Sequence, residues 1–374
     1  MRGSTTAPRA ALAVLLACTA LVAAACGDDD GGAASTSGTS SASTASGGAP
    51  DWCGDKEVVL GIMDGGGLNG WSKESLAQVQ QAVKQCPKIT ETKIVNAGFD
   101  LQKMLSGYNS LVAQAVDAIV VIPDAGGPAE APAIRNATRK GVKVVPWAST
   151  PAPAEEGTDF VAYIDWDTKA AGRTWATWLV KQMGGKGNVI FLGGPAGNAV
   201  DAGTIAGAKE VFAENPDVKL LTDKPAVANW DPAQTQKVTA GLITKNPQID
   251  GIIVADGQSG AGAIRAFKAA GKQVPPIATL EANEIACLWK DAKGSEEFPL
   301  MTLSARNWLG RYAVREAMHA VNGTKDPYKN IVDLPIYEDS DGGKKPECRP
   351  DSPPDSFFSN EASDEELDQL MQGS

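Results

Sequence analysis

Histidine is nearly missing from this chain: His319 is the only one in 374 residues. A Cys/His metal site therefore has almost no ligands to draw on. A Ser/His/Asp set finds its sole imidazole inside the helical run RYAVREAMHAV. Basic residues are outnumbered, 34 Lys and Arg against 45 Asp and Glu. That balance argues against nucleic acid or an anionic membrane surface as partner. The apolar run near the N-terminus, Ala10 to Ala25, has 16 residues, short of the roughly 20 that a spanning helix needs.

What is present begins with that run. Arg2 and Arg9 precede it, and it ends in Ala23-Ala24-Ala25-Cys26 before Gly27-Asp28-Asp29-Asp30. A basic start, a short apolar core and small residues before a break read as a secretory signal peptide over 1–25. Small residues ending on a cysteine resemble a bacterial lipoprotein signal, in which the cysteine thiol receives diacylglycerol. Position 23 is Ala where that family prefers Leu, and Leu15-Leu16-Ala17-Cys18 matches better there. Cleavage at Cys18 would leave an apolar core of only eight residues and an apolar mature terminus, so Cys26 is the expected lipidation site. Losing Arg2 and Arg9 takes the net charge from −11 to −13. Residues 31–50, nearly all Gly, Ala, Ser and Thr, cannot offset their ordering entropy and read as a flexible tether. The tether is placed at 26–52.

Cys53, Cys86, Cys287 and Cys348 remain, an even number in an oxidising setting, with no zinc spacing. Their placement suggests two bridges. Cys53 precedes the first strand and Cys86 ends the following helix, while Cys287 and Cys348 would tie the C-terminal tail to a helix. The other two pairings, and free buried thiols, stay open.

From residue 56, apolar β-branched runs alternate with helical stretches. Strands are expected at 57–63, 91–96, 117–122 and 142–147, then at 160–165, 187–192, 217–221, 249–254 and 275–280. Helices are expected at 71–85, 101–115, 129–140, 168–183, 201–214, 231–245 and 258–271. Late elements are 300–304, a helix at 307–321 and a strand at 331–336. Near-continuous apolar strands between helices mean parallel sheets covered on both faces. The number of units exceeds one sheet, and the Pro-rich stretch Pro146–Pro153 divides them. The fold class is α/β, two doubly wound parallel-sheet lobes, with a ligand cleft where the strands' carboxyl ends face each other.

Gly65-Gly66-Gly67-Leu68-Asn69-Gly70 satisfies G-x-G-x-x-G after a strand. The acid expected at the end of the second strand is Asn96, however, and the bulky Trp71 follows where a phosphate-binding helix end stays open. Nicotinamide cofactors are not generally available outside the membrane. The segment reads instead as a ligand loop with an aromatic wall, and no cofactor is expected.

The segments VVLGIM, GFDLQKMLSGYNSLVAQAVDAIVVIPDAGGPAEAPAIRNATRKGVKVVPWAS, YIDWDTKAAGRTWATWLV, GNVIFLGGPAGNAVDAGTIAGAKEVF, ANWDPAQTQKVTAGLITKNPQIDGIIVADGQSGAGAIRAFKAAGK and IATLEANE resemble, in order and spacing, the type I sugar-binding proteins of ABC importers, the ribose- and xylose-binding class. The resemblance covers about 56–340. It implies three hinge crossings, near 148–163, 303–307 and 330–336. It also implies a N-terminal lobe of 53–150 plus 306–330, and a C-terminal lobe with tail of 151–305 plus 331–374. No chemistry is implied, only closure over one small molecule.

Such a pocket stacks C–H faces on rings and bonds hydroxyls to charged or amide groups. The positions matching the family's ligand contacts are Asn69, Trp71, Asp124, Trp147, Ser149, Asp167, Asn198, Asp201, Trp230, Asp231, Asp256, Glu281, Arg306 and Asn307. The carboxylates among them also fit helix caps, since Asp favours that position. Trp175, Trp178, Trp289 and Trp308 lie in helical patterns and read as packing residues. The family's Asp-Arg pair after the fourth strand is Ala148-Ser149 here, and an arginine expected before the helix 201–214 is absent. The bidentate grip on adjacent hydroxyls is thereby lost, which opens the way to a polyol, an unusual sugar, or a small aromatic or cationic solute. The resemblance implies a monomeric, lipid-anchored extracytoplasmic receptor that hands a small polar ligand to an ABC permease. Competing readings are a module feeding a membrane sensor, and an exported enzyme using Asp256 and Glu281 as an acid-base pair.

Overall fold

The computed structural model describes residues 48–372 apart from Gly67, Leu68 and Gly126. The signal segment 1–25, Cys26, most of the tether and the centre of the glycine motif lie outside the described residues. In chain order the first half builds β1 (Val58–Asp64), α1 (Gly70–Gln85), β2 (Ile89–Asn96), α2 (Leu101–Ala113), β3 (Ala118–Ile122), α3 (Ala131–Arg139) and β4 (Lys143–Pro146). There follow β5 (Asp165–Trp166), α4 (Thr168–Gln182), β6 (Gly187–Gly193), α5 (Ala199–Glu214), β7 (Val218–Leu220), β8 (Ala226–Val227) and α6 (Pro232–Lys245). Next come β9 (Gly251–Val254), α7 (Gly257–Ala269), β10 (Ile277–Leu280), α8 (Asn283–Asp291) and β11 (Leu300–Leu303). The chain ends with α9 (Leu309–Asn322), β12 (Ile331–Val332), β13 (Ile336–Asp339) and α10 (Asp364–Gln372).

The first lobe is a parallel sheet of order β2-β1-β3-β4. Every residue of β3 is buried, because alternate side chains serve opposite faces. Ala118, Val120 and Ile122 pack with Val79, Ala82 and Tyr312 of α1 and α9. Ile119 and Val121 pack with Met104, Tyr108 and Ile134 of α2 and α3. The second lobe has order β13-β11-β10-β9-β6-β7, with β8 beside β6. There Val189 and Phe191 meet Trp175, Leu179 and Phe212, while Ile190 and Leu192 meet Ile264 and Phe267. This is the expected pair of doubly wound lobes.

Several elements differ from the expectation. The run 160–165 is irregular except for Asp165, which opens β5, since Phe160 and Ile164 make only isolated bridges, to Glu156 and Trp147, and Val161 lies in a bend. The run 331–336 is two strands. β12 pairs with β5 where two crossings run side by side, and β13 turns back antiparallel to β11. α8, α10 and β8 carry too little periodic apolar pattern to stand out. The tail expected with the second lobe ends on the first, where α10 pairs with Arg311 and Arg315 of α9. Cys53 is bonded to Cys86 and Cys287 to Cys348.

α4 and α5 lie in unusually close contact. A Cβ at Gly207 would sit 2.0 Å from the Lys169 carbonyl oxygen, and one at Gly172 would sit 1.9 Å from that of Thr204. Only glycine permits that backbone approach.

Candidate functional site

Six helices start with an Asn or Asp whose side chain accepts a backbone N–H of the first turn: Asn69, Asp100, Asp167, Asn198, Asp231 and Asp256. Each satisfies an otherwise orphaned donor. For Asn69, Asn198 and Asp256 the cap also places the side chain at the cavity between the strands' carboxyl ends. Strand, cap and cleft are thus one structural consequence.

A cavity of about 520 Å³, including its mouth, lies there. Asn69, Trp71, Ser72, Phe99, Asp124 and Ala148 line it from the first lobe. Val200, Trp230, Ala255, Asp256 and Leu280 line it from the second, and Arg306 enters from the β11–α9 crossing. Past Phe99, Asp124 and Trp230 it widens towards Ser149 and Asn198.

Arg306 is the centre of the electrostatics. Its guanidinium lies over the rings of Trp71, at 5.0 Å, and Trp166, at 4.6 Å, a cation–π sandwich. Its Nε is 3.9 Å from Oδ1 of buried Asp165, too far for a hydrogen bond. Neither atom has a hydrogen-bond partner within the described residues. Burial lowers the Arg306 pKa, while Asp165, Asp124 and Asp256 oppose that by their charge. Burial in turn raises Asp165 to about 6 despite Arg306 and a hydrogen bond from the Tyr163 hydroxyl. Asp124 and Asp256 are also raised by burial, and hydrogen bonds from Ser149 and Ser259 partly offset the rise. Three carboxylates thus share one guanidinium.

Backbone strain concentrates at the same place. Six described residues other than glycine have positive φ, and four of them, Phe99 (61°), Ala148 (59°), Trp230 (51°) and Arg306 (59°), line the cavity. Such conformations cost about 1–3 kcal/mol each and persist where the surroundings enforce them.

Of the expected ligand residues, the cavity brings together Asn69, Trp71, Asp124, Trp230, Asp256 and Arg306, with Ser149 and Asn198 in its outer part. The others are placed differently. Trp147 is buried behind Trp71, ring centroids 6.1 Å apart. Asp167 and Asp231 use their carboxylates to cap α4 and α6 and do not line the cavity. Asp201 is buried and accepts from the Gly194 N–H and the Asn198 amide; burial raises it to about 6. Glu281 accepts backbone N–H groups of Ala305, Phe358 and Ser359, and so holds the tail. Asn307 donates to the Trp71 carbonyl and the Ser75 hydroxyl.

Phe99, Ala148 and Asp165 escaped the sequence reading. A signal existed for Phe99, an aromatic residue just after the second strand. For Asp165 the signal was the second acid of Tyr163-Ile164-Asp165-Trp166-Asp167, but no pattern tells which of the two acids turns inward.

The arrangement can hold a neutral, donor-rich molecule: aromatic walls for C–H faces, carboxylates as acceptors and one guanidinium as donor. Among the described residues no group of three or more His, Cys, Asp or Glu could hold a metal ion.

Comparison with known proteins agrees with this geometry. The periplasmic binding protein domain matches residues 62–325. The xylitol-binding protein of Mycolicibacterium smegmatis is 32% identical over 193 residues, covering 50% of this chain and 52% of that protein. The D-allose-binding periplasmic protein of Escherichia coli is 30% identical over 117 residues, 31% of this chain and 37% of the other. The chain therefore spans about half the length, or less, of these two curated relatives. Among solved structures, a Bacillus halodurans solute-binding protein with bound myo-inositol superimposes with a TM-score of 0.66 at 16% identity, covering 76% of this chain and 95% of that one. The arabinose-transporter binding protein of Shewanella gives 0.65 at 21% identity, covering 74% and 91%. The chain belongs to the periplasmic binding protein family.

Proposed function

We propose that this chain is a lipid-anchored extracytoplasmic receptor that captures a sugar or polyol between its lobes and presents it to an ABC importer. The observation carrying the proposal is the cavity in which Arg306 stands with Asp124 and Asp256 between Trp71 and Trp230. Hydroxyl groups can satisfy all of these at once, each donating to a carboxylate and accepting from the guanidinium. The names of the relatives point the same way, since they bind xylitol, D-allose and D-xylose. Capture requires no chemistry, and the importer would read the closed form.

A thermal-shift screen of the mature chain against pentitols, inositols, pentoses and hexoses tests this. At least one is expected to raise the melting temperature in a saturable way. Silence from every carbohydrate and polyol, with a response to an amine or aromatic, would overturn the ligand class. The excess of three carboxylates over one guanidinium favours a cationic solute as the second reading, so amines belong in the panel. Attachment through Cys26 is tested by Cys26→Ser, which is expected to move the protein from the membrane fraction to the soluble one.

A further inference from the structure

We infer that the C-terminal tail is a fourth link between the lobes, a strap that limits how far the cleft opens. The inference deepens the solute-capture reading of the cleft and rests on it. The tail leaves β13 and is first pinned to the second lobe. Cys348 is bonded to Cys287 on α8. The Asn283 side chain accepts the Arg349 N–H at 2.9 Å and donates to the carbonyls of Arg349, Ser352 and Pro353 at 2.9–3.1 Å.

The tail then reaches the crossing that carries Arg306. The Ser359 hydroxyl bonds the buried Glu281 carboxylate and lies 2.8 Å from the Ser304 hydroxyl. That same Ser304 oxygen accepts the Arg306 N–H at 3.0 Å. The strap therefore buttresses the strained residue at the centre of the cavity.

Its far end is pinned to the first lobe. Arg311, 2% exposed, donates to the Asn360 carbonyl at 2.6 Å and to Asp364 at 2.9 Å. Arg315 pairs with Asp364 at 3.2 Å and Asp368 at 2.7 Å. Beneath them Leu367 and Met371 are buried in the core. Between its two anchors the tail also passes the start of α1, where a Cβ at Gly70 would lie 2.2 Å from an Asp355 oxygen.

Crossings at a hinge can rotate, but a segment anchored on both lobes must stretch or detach when they part. Detachment here would strand buried Arg311 and Arg315 without their carboxylates, which is unfavourable. The strap is short between its anchors, with Ser359 held by one lobe and Asn360 by the other. It therefore has little slack.

The test is single-molecule energy transfer in the ligand-free mature chain, with dyes on unnatural residues replacing exposed Lys103 and Lys237. A flexible Gly–Ser insertion of about six residues between Ser359 and Asn360, the two residues held by opposite lobes, adds up to about 20 Å of reach while keeping every anchoring side chain. The inserted chain is expected to show a lower mean transfer efficiency and a broader distribution. The Asp364→Asn/Asp368→Asn double variant is expected to shift in the same direction. Distributions that coincide with the parent in both variants, or a shift to higher efficiency, would overturn the strap. Because no ligand is present, that result would leave the solute-capture reading standing, and a silent ligand screen would leave the strap standing.

Discussion

Arg306 combines a left-handed backbone, two aromatic faces and three carboxylates around one cation. Arg306→Ala removes the one guanidinium that lines the cavity among the described residues and leaves Asp165 without its opposing charge. Breaking a buried pair of this kind costs about 3–5 kcal/mol when the remaining charge stays buried. Asp165 should escape part of that cost by protonating, since burial already raises it to about 6 even with Arg306 present. The variant is expected to lose more than about tenfold in ligand affinity by calorimetry, as removal of a charged hydrogen bond does. It should also be more acid-favoured in its melting temperature than the parent. Glu281 offers a second residue-scale prediction. Burial raises it to about 7 from 4.5, although the N–H groups of Ser359 and Ala305 pull it back. A raised folded-state pKa means that the stabilising proton is held fully below about pH 4.5 and lost as pH climbs through about 7. Glu281→Gln should flatten the decline in stability between pH 5 and 8 by up to about 3 kcal/mol. Parallel pH–melting curves for parent and variant would refute this. At this scale the sequence reading located both residues but could not assign them. Asp256, Asp231 and Glu281 are all acids after strands, yet one lines the cavity, one caps a helix and one holds the tail. The signal for all three is the same, because a helix N-terminus attracts a carboxylate whether or not a ligand is near.

At the scale of elements, the β-α alternation was legible because strands buried on both faces must be continuously apolar. Residues 118–122 and 251–254 are such strands, and both stand where the pattern places them. Strand 160–165 failed because an apolar, aromatic run in a crossing segment looks like an edge strand. The run 331–336 reads as one strand on its apolar residues, although Pro335 marks the break between β12 and β13; that β13 pairs antiparallel with β11 is set by a partner far away in the chain. The α4–α5 contact was not visible either. Its glycines, Gly172 and Gly207, are unremarkable in sequence until two helices are laid together. Gly207→Ala pushes a methyl to 2.0 Å from the Lys169 carbonyl oxygen, so the helices must separate. A loss of about 1–3 kcal/mol is expected, read as a lower melting temperature by calorimetry. Ligand affinity measured well below that temperature should be retained, because the contact lies away from the cavity.

For the whole molecule, two parallel sheets with facing carboxyl edges leave a cleft, and three crossings allow the lobes to rotate about it. A ligand that raises the melting temperature is therefore expected to reduce the radius of gyration in solution scattering, with the mature chain measured with and without it. An unchanged radius would mean that capture proceeds without closure. The sequence by itself determined the alternation of strands and helices, the two-lobe architecture and the rings and acids available near strand ends. All of these follow from local periodicity and from the needs of helix termini. Only the tertiary structure decided which acids face Arg306, which residues near the cleft carry left-handed strain, and that the tail crosses from one lobe to the other. Those outcomes depend on contacts between segments far apart in the chain, such as Glu281 with Ser359 and Arg311 with Asp364. Chain spacing carries no record of them, because they arise only when separately specified elements compete for the same buried space.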